Sequence, residues 1–436
     1  MLSFLFNIRL RFISYADPMN YSDIPDFKQK LLQWADTFEV CCFLDSNQYN
    51  DPYGKYELIV AAGAHKSISY SEGAAFEALG EFCEYNSQWM FGLFSYDLKN
   101  ETEELTSEQK DVHDFPSMFF FVPEYLIAIE KDEIKIIKGE ADIVDQIIQS
   151  ELLIDPRQTN VCFTSRISKA DYLKKVLEIQ RHIKKGNAYE VTFCQEFFAE
   201  NAIINPLQVY STLNNLSPTP FAGYFKIYDQ YVLSASPERF LRKIGSKLIS
   251  QPIKGTIKRS QDEEEDQQLK TALRLNKKEQ AENVMIVDLV RNDLTKSALK
   301  GTVVVEELFG IYSFTNVHQM VSTISCQLNP DVHFVKAIKN TFPMGSMTGA
   351  PKVRAMQLIE EIEKVKRGMY SGSMGYISPS GDFDFNVIIR SLLYSRKKEF
   401  LSFQVGGAIT SGSIPEEEYK ESLLKGFAMQ KALQGS

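Results

Sequence analysis

Gln251-Pro252-Ile253-Lys254-Gly255-Thr256 places a lysine between a proline and a glycine inside an apolar stretch. The run 240–249 ahead of it reads as one strand. Pro252 fixes its own backbone angle, and Gly255 adopts conformations other residues avoid. The hexapeptide therefore reads as a tight turn that holds Lys254 in place. A lysine confined in a partly desolvated site has a lowered pKa, and its neutral amine is a nucleophile. The other reading is a surface lysine in a turn, and the rest of the chain has to decide.

The chain has 436 residues, 44% hydrophobic and 24% charged, as soluble globular proteins do. Its net charge of −9 argues against nucleic acid and anionic membrane surfaces. An anionic substrate would have to be met by local cations or a metal. Six scattered cysteines form no C-x-x-C pair, which fits a reducing cytoplasm and no zinc site. Residues 1–18 read as an N-terminal extension, with Met19 as an alternative start; they lack a signal-peptide pattern.

Residues 19–155 form an N-terminal region, with strands expected over 38–44, 58–62 and 89–95 and a helix over 71–85. The acidic stretch 101–114 reads as a surface loop. Ile154-Asp155-Pro156-Arg157-Gln158 marks a boundary. In the following region, 160–436, Ser168 caps an amphipathic helix over 172–185 that Gly186 ends. A helical period runs from 263 to 294. Strands over 371–377, 384–394 and 400–405 read as an antiparallel meander, and a helix over 416–433 follows. Antiparallel joins beside separate helices argue for an α+β fold.

Glu279 and Glu282 share one helical face, and Glu418 and Glu421 repeat the spacing with Lys425 four residues on. Carboxylates without histidine or cysteine suit a hard cation such as Mg²⁺; two solvated helix faces are the other reading. Gly345-Ser346-Met347-Thr348-Gly349 offers backbone amides to an anion. Gly406-Gly407 allows close approach to a ligand or tight packing. Arg390, in an apolar run, is either a core ion-pair partner or a carboxylate clamp. His318 reads by default as a satisfied core histidine.

Together these stretches resemble the chorismate-binding enzymes, a family that includes anthranilate, aminodeoxychorismate, isochorismate and salicylate synthases. The resemblance rests on Tyr189-Glu190-Val191, Ser236-Pro237-Glu238, the 252–256 stretch, and Glu282-Asn283 through Asp288-Leu289-Val290-Arg291-Asn292-Asp293-Leu294. It continues through Val317-His318, residues 345–356, Tyr370-Ser371-Gly372, residues 386–390, Gly406 and residues 415–425. Before residue 155 it is carried mainly by Gly92-Leu93-Phe94-Ser95-Tyr96-Asp97.

The resemblance implies an α/β sandwich of two packed sheets flanked by helices, with the site between them. It implies Mg²⁺ on Glu282 and Glu421, with Glu279 and Glu418 helping through water. Arg390, Tyr370, Ser346, Lys425, Thr256 and the Gly406-Gly407 backbone would hold the substrate, Glu238 would be the general acid, and Glu190 and His318 join the catalytic set. Lysine at 254, where the anthranilate synthases carry alanine, resembles the aminodeoxychorismate synthases. There the lysine takes the ring position C2, so that ammonia enters at C4. Such enzymes serve 4-aminobenzoate and folate synthesis and receive ammonia from a glutamine amidotransferase. No cysteine here has a glycine two residues before or after it, so the glutaminase elbow is absent and a separate amidotransferase subunit is implied. The chain departs from the family at Glu190, where ammonia users have glutamine and water users lysine, and at Thr192 and Glu196.

Overall fold

Thirteen-residue strands Leu58–Tyr70 and Met118–Glu130 form the corner around which the fold turns. Their apolar residues cover far more than the 58–62 segment expected from sequence. The computed structural model describes residues 20–434 except 72, 108, 110 and 154–160. Residues 1–18 and the 154–158 boundary lie outside the described residues. A register shift between Ala64 and Lys66, beside Gly63 at φ 71° and opposite Pro123, bends the long pair.

From this corner the hydrogen-bonded network runs two ways and faces itself. Leu58–Ala62 pairs with Val40–Asp45, which leads to Phe221–Ile227, Gln230–Ser236, Ser391–Ser395, Phe400–Ile409 and Glu190–Ala199. Met118–Phe121 pairs with Met90–Phe94, which leads to Ser373–Ile377, Phe383–Asn386, Arg239–Ile244, Lys247–Gln251 and Val317–Gln327. Period-2 alternation sends Val40, Cys42, Phe225 and Val232 from one layer against Leu241, Leu248, Ile324 and Phe385 from the other. The alternate residues Cys41, Phe43 and Tyr224 face outward, under the helices Phe27–Asp36 and Pro206–Leu216. Every pairing between described strands is antiparallel, so the α+β sandwich expected from sequence is the fold observed.

Several local expectations need correction. The single strand expected over 240–249 is a hairpin, Arg239–Ile244 and Lys247–Gln251, turning at Gly245-Ser246 with Gly245 at φ 58°. The hexapeptide around Lys254 is not a turn. Lys247–Gln251 and Ile253–Lys258 both pair with Val317–Gln327 in a register that runs unbroken past Pro252 and shifts only between Ile253 and Thr256, where Gly255 has φ 90°. The 384–394 strand is also two, Phe383–Asn386 in one layer and Ser391–Ser395 in the other, so the meander is broken. The 263–294 helix splits at Asn276, whose side chain caps the second helix, Lys277–Thr295, by accepting from the amides of Lys278 and Glu279. The 101–114 segment is not all surface: His113 is buried, its Nε2 2.8 Å from Ser402 Oγ. Ser168 caps Lys169–Lys184 as expected, accepting from the Asp171 amide.

One buried network sets the strand that follows Glu238. Arg239, 1% exposed, donates to Asp384 at 2.8 and 3.0 Å, to Gln251 at 2.5 Å and to Asp51. Arg242 also pairs with Asp384. Removing the shared carboxylate would strand a buried guanidinium. Asp384→Ala is expected to lower unfolding stability by about 3 kcal/mol in urea denaturation.

Candidate active site

Lys254 leaves its strand toward the interior, and its Nζ lies 2.7 Å from Glu190 Oε1. Lys254 is 9% exposed and Glu190 fully buried. Burial disfavours the ammonium, but Glu190 outweighs it, helped by Glu282 and Glu238, and the lysine pKa is raised. This corrects the lowered pKa expected from confinement alone: the neighbouring carboxylate decides the sign. The resting lysine is charged and needs a proton acceptor before it can act as a nucleophile. Glu190 Oε1 is in contact with it, and Glu190 Oε2 is buried with no hydrogen-bond partner.

Glu238 is 4% exposed, just ahead of the Arg239–Ile244 strand. Burial pushes its carboxyl up to about 7. The Ser346 hydroxyl, close by but outside hydrogen-bond geometry, pulls the other way, as do the Lys254 charge and the Ile253 amide. A carboxylic acid still protonated near neutrality can donate to a leaving oxygen.

The two glutamate pairs meet across the site. Lys277–Thr295 carries Glu279 and Glu282, and Pro415–Lys431 carries Glu418 and Glu421. Lys278 Nζ stands between them, 3.7 Å from Glu282 Oε1 and 3.5 Å from Glu418 Oε1. Burial raises the Glu282 pKa to about 7, against the lowering effect of Lys254 and Lys278. Burial also raises Glu279, whereas Lys425, 2.7 Å from Glu421, lowers that carboxylate. Among the described residues no three acidic, histidine or cysteine side chains stand close enough to hold one ion as they are. The donors nonetheless suit a hard cation. They are all oxygens, and Glu282 Oε1 is buried without a hydrogen bond, a cost a cation would relieve.

Around this charge cluster lie the expected substrate residues. Arg390, at φ 53°, donates to the Lys425 carbonyl at 3.1 Å, and no carboxylate among the described residues is within ion-pair distance of it. Of the two sequence readings, a guanidinium with no ion pair among the described residues favours the clamp. Tyr370 OH is 3.4 Å from Cys194 Sγ, and Ser346 Oγ is buried without a partner. Lys425 Nζ donates to the Gly406 carbonyl at 2.9 Å. A Cβ on Gly406 would lie 2.1 Å from the Phe193 carbonyl, and one on Gly407 3.4 Å from Glu418 Oε2 and 3.5 Å from Lys425 Nζ. Glycine is thus required at the first and faces the cluster at the second.

Among the described residues, two of the expected residues make no hydrogen bond or ion pair with this cluster. Thr256 is exposed on its strand. His318 is buried, with Nε2 3.0 Å from Asp266 Oδ1 and Nδ1 2.8 Å from Ser313 Oγ. Both ring nitrogens are engaged there, as in a satisfied core histidine.

Sequence reasoning passed over Lys278 and the buried pair Glu363–Arg367. Arg367 donates to Glu363 at 2.7 and 2.9 Å, to the Met347 carbonyl at 2.6 Å and to the Thr192 carbonyl at 3.0 Å. It thereby ties the Ser346 loop to the strand that begins at Glu190. Asp97, in the early Ser95-Tyr96-Asp97 motif, accepts from the Gly368 amide at 3.1 Å and supports the segment next to Arg367. Their i,i+4 spacing was the only signal of the Glu363–Arg367 pair. The departure at Glu196 is explained by Arg166, which pairs with it at 2.8 Å.

The sequence pattern of the chorismate binding enzymes matches residues 39–431. The chain belongs to the chorismate-binding enzyme family. It is 35% identical over 394 residues to the chloroplastic aminodeoxychorismate synthase of Arabidopsis thaliana, covering 84% of this chain but 42% of that one. The chain thus spans less than half of that relative. It is 33% identical over 361 residues to aminodeoxychorismate synthase component 1 of Bacillus subtilis, covering 79% of this chain and 76% of the other. The crystal structure of anthranilate synthase component I from Streptococcus pneumoniae superposes with a TM-score of 0.76 at 25% identity, covering 88% of this chain and 93% of that one.

The raised Glu238 pKa makes a stability prediction. A carboxyl raised from 4.5 to about 7 on folding stabilises fully below 4.5, and that contribution is lost as pH rises through about 7. Glu238→Gln removes this loss. Unfolding free energies measured at pH 5 and pH 8 are expected to differ less in the variant than in the wild type, by up to about 3 kcal/mol.

Proposed function

We propose that this chorismate-binding enzyme is an aminodeoxychorismate synthase component I, converting chorismate and ammonia to 4-amino-4-deoxychorismate. The observation that carries the reading is Lys254, buried and in contact with Glu190, near the buried Glu238 whose carboxyl is pushed up to about 7. The names of two relatives agree with it. The alternative, an anthranilate synthase component I, draws on the fold neighbour, but it leaves the buried Lys254 and its proton acceptor Glu190 without a task.

Arg390, Lys425, Ser346, Tyr370 and the Gly406-Gly407 backbone hold the substrate carboxylates in this reading. Mg²⁺, when bound by Glu282 and Glu421 with Glu279 and Glu418 behind them, supplies positive charge at the ring carboxylate. Glu190 takes a proton from the Lys254 ammonium, and the freed amine attacks C2. Both ring double bonds shift, carrying the electron pair to C4, and the C4 hydroxyl leaves as water on the proton of Glu238. Ammonia then adds at C4, both double bonds return, and Lys254 leaves C2 as a neutral amine. The new C4 ammonium gives one proton back to Glu238, and Lys254 recovers its own from Glu190. One ammonia is consumed and one water released.

Ammonia would come from a glutamine amidotransferase on a separate chain. The relative's designation as a component 1 agrees with such a partner, as does the absence of a glutaminase elbow. No helix of the described residues is long and apolar enough to cross a membrane. A cytoplasmic setting, as composition suggested, belongs to this proposal.

The test is a product assay with chorismate, Mg²⁺ and ammonium salts, resolved by chromatography. Aminodeoxychorismate is expected, and glutamine alone should not replace ammonium. Lys254→Ala is expected to lower that product at least about a hundredfold, with anthranilate as the residual product if C2 becomes open to ammonia. Anthranilate or isochorismate from the wild type would contradict the reading.

A further inference from the structure

We propose that Lys278 is an internal counter-ion: it spans the two glutamate-bearing helices before metal binds, and Mg²⁺ must displace it. The inference rests on the Mg²⁺ reading given above. Lys278 reaches Glu282 on its own helix at 3.7 Å and Glu418 on the other helix at 3.5 Å. No other ammonium among the described residues bridges the two helices in this way. Glu282 and Glu418 are 7% and 5% exposed, so without a cation their charges would face each other with little water between them.

The contact is built to be released. Lys278 is 49% exposed at its side chain, and its Nζ makes no hydrogen bond among the described residues. Its flexible four-carbon stem can swing into solvent without disturbing the core. The other lysines of the cluster are held differently. Lys425 is fixed by Glu421 at 2.7 Å and by the Gly406 carbonyl at 2.9 Å, and Lys254 is enclosed against Glu190. A divalent ion on Glu282 and Glu421, with Glu418 behind it, would stand beside an ammonium that already contacts Glu282 and Glu418, and like charges at such separations repel strongly. Lys278 is therefore a positioning residue that keeps the two helices in register and sets how tightly the site takes its metal.

The test is calorimetric titration of Mg²⁺ into the full chain without chorismate, with melting temperatures recorded alongside. Lys278→Met is expected to bind Mg²⁺ about two- to fivefold more tightly than the wild type, the yield of removing one partly exposed ion pair. The metal-free variant should melt below the wild type, and Mg²⁺ should restore it. Lys278→Gln should behave like Lys278→Met and replaces it should that variant not fold; Lys278→Arg, which keeps the charge, should not tighten binding. A merely structural lysine would leave affinity unchanged or weaken it on removal. Unchanged or weaker binding in Lys278→Met, with binding abolished in Glu282→Gln, would overturn the counter-ion proposal and leave the metal site standing. No Mg²⁺ binding by wild type and Lys278→Met alike would overturn both.

Discussion

The ion pair between Lys254 and Glu190 is the constraint on which the rest of the site depends. Its members stand on strands from different arms of the sandwich, Ile253–Lys258 and Glu190–Ala199. Burying two charges costs several kcal/mol per ion before their attraction is counted, so such a pair is poor as a source of stability. Its value lies in chemistry. An isolated buried lysine would be neutral but unguided; a lysine held by one carboxylate oxygen is fixed in direction and sits beside its proton acceptor. Arg367 and Glu363 brace the strand that carries Glu190, and Arg239 with Asp384 braces the strand after Glu238. The two buried networks thus serve one geometry.

The electrostatic balance of the cleft follows from the same economy of charge. A chain of net charge −9 must bind an anion in the proposed reaction, and it gathers Lys254, Arg390 and Lys425 to do so. Beside them stand Glu279, Glu282 and Glu421, whose pKa values are set by burial and by neighbouring lysines. Where Lys425 is close, as at Glu421, the carboxylate is lowered; where burial dominates, as at Glu282, it is raised. The contrast marks the unsatisfied side of the cluster, the side to which a hard cation would bring most.

Much of this was legible in the sequence because it depended on local rules. Helical spacing put Glu279 with Glu282 and Glu418 with Glu421, the Ser168 cap was a local motif, and antiparallel joins pointed to α+β. What failed depended on partners far along the chain. Pro252 and Gly255 looked like turn residues, yet the pairing of both flanking segments with Val317–Gln327 keeps the chain extended. Residues 387–390 looked like strand interior, but Arg390 at φ 53° lets the chain change layers. The direction of the Lys254 pKa turned on Glu190, 64 positions away. Lys278 drew no notice because an i,i+4 pair with Glu282 is ordinary, and its contact with Glu418 exists only in three dimensions.

Mass spectrometry of the protein mixed with chorismate and Mg²⁺ in the absence of ammonia tests the central claim most directly. With no ammonia to expel it, Lys254 should remain bonded to the ring. The peptide containing Lys254 should then carry the mass of chorismate less one water, and the adduct should disappear when ammonium is added. An unmodified Lys254 peptide, from a preparation that makes aminodeoxychorismate once ammonium is supplied, would contradict the account.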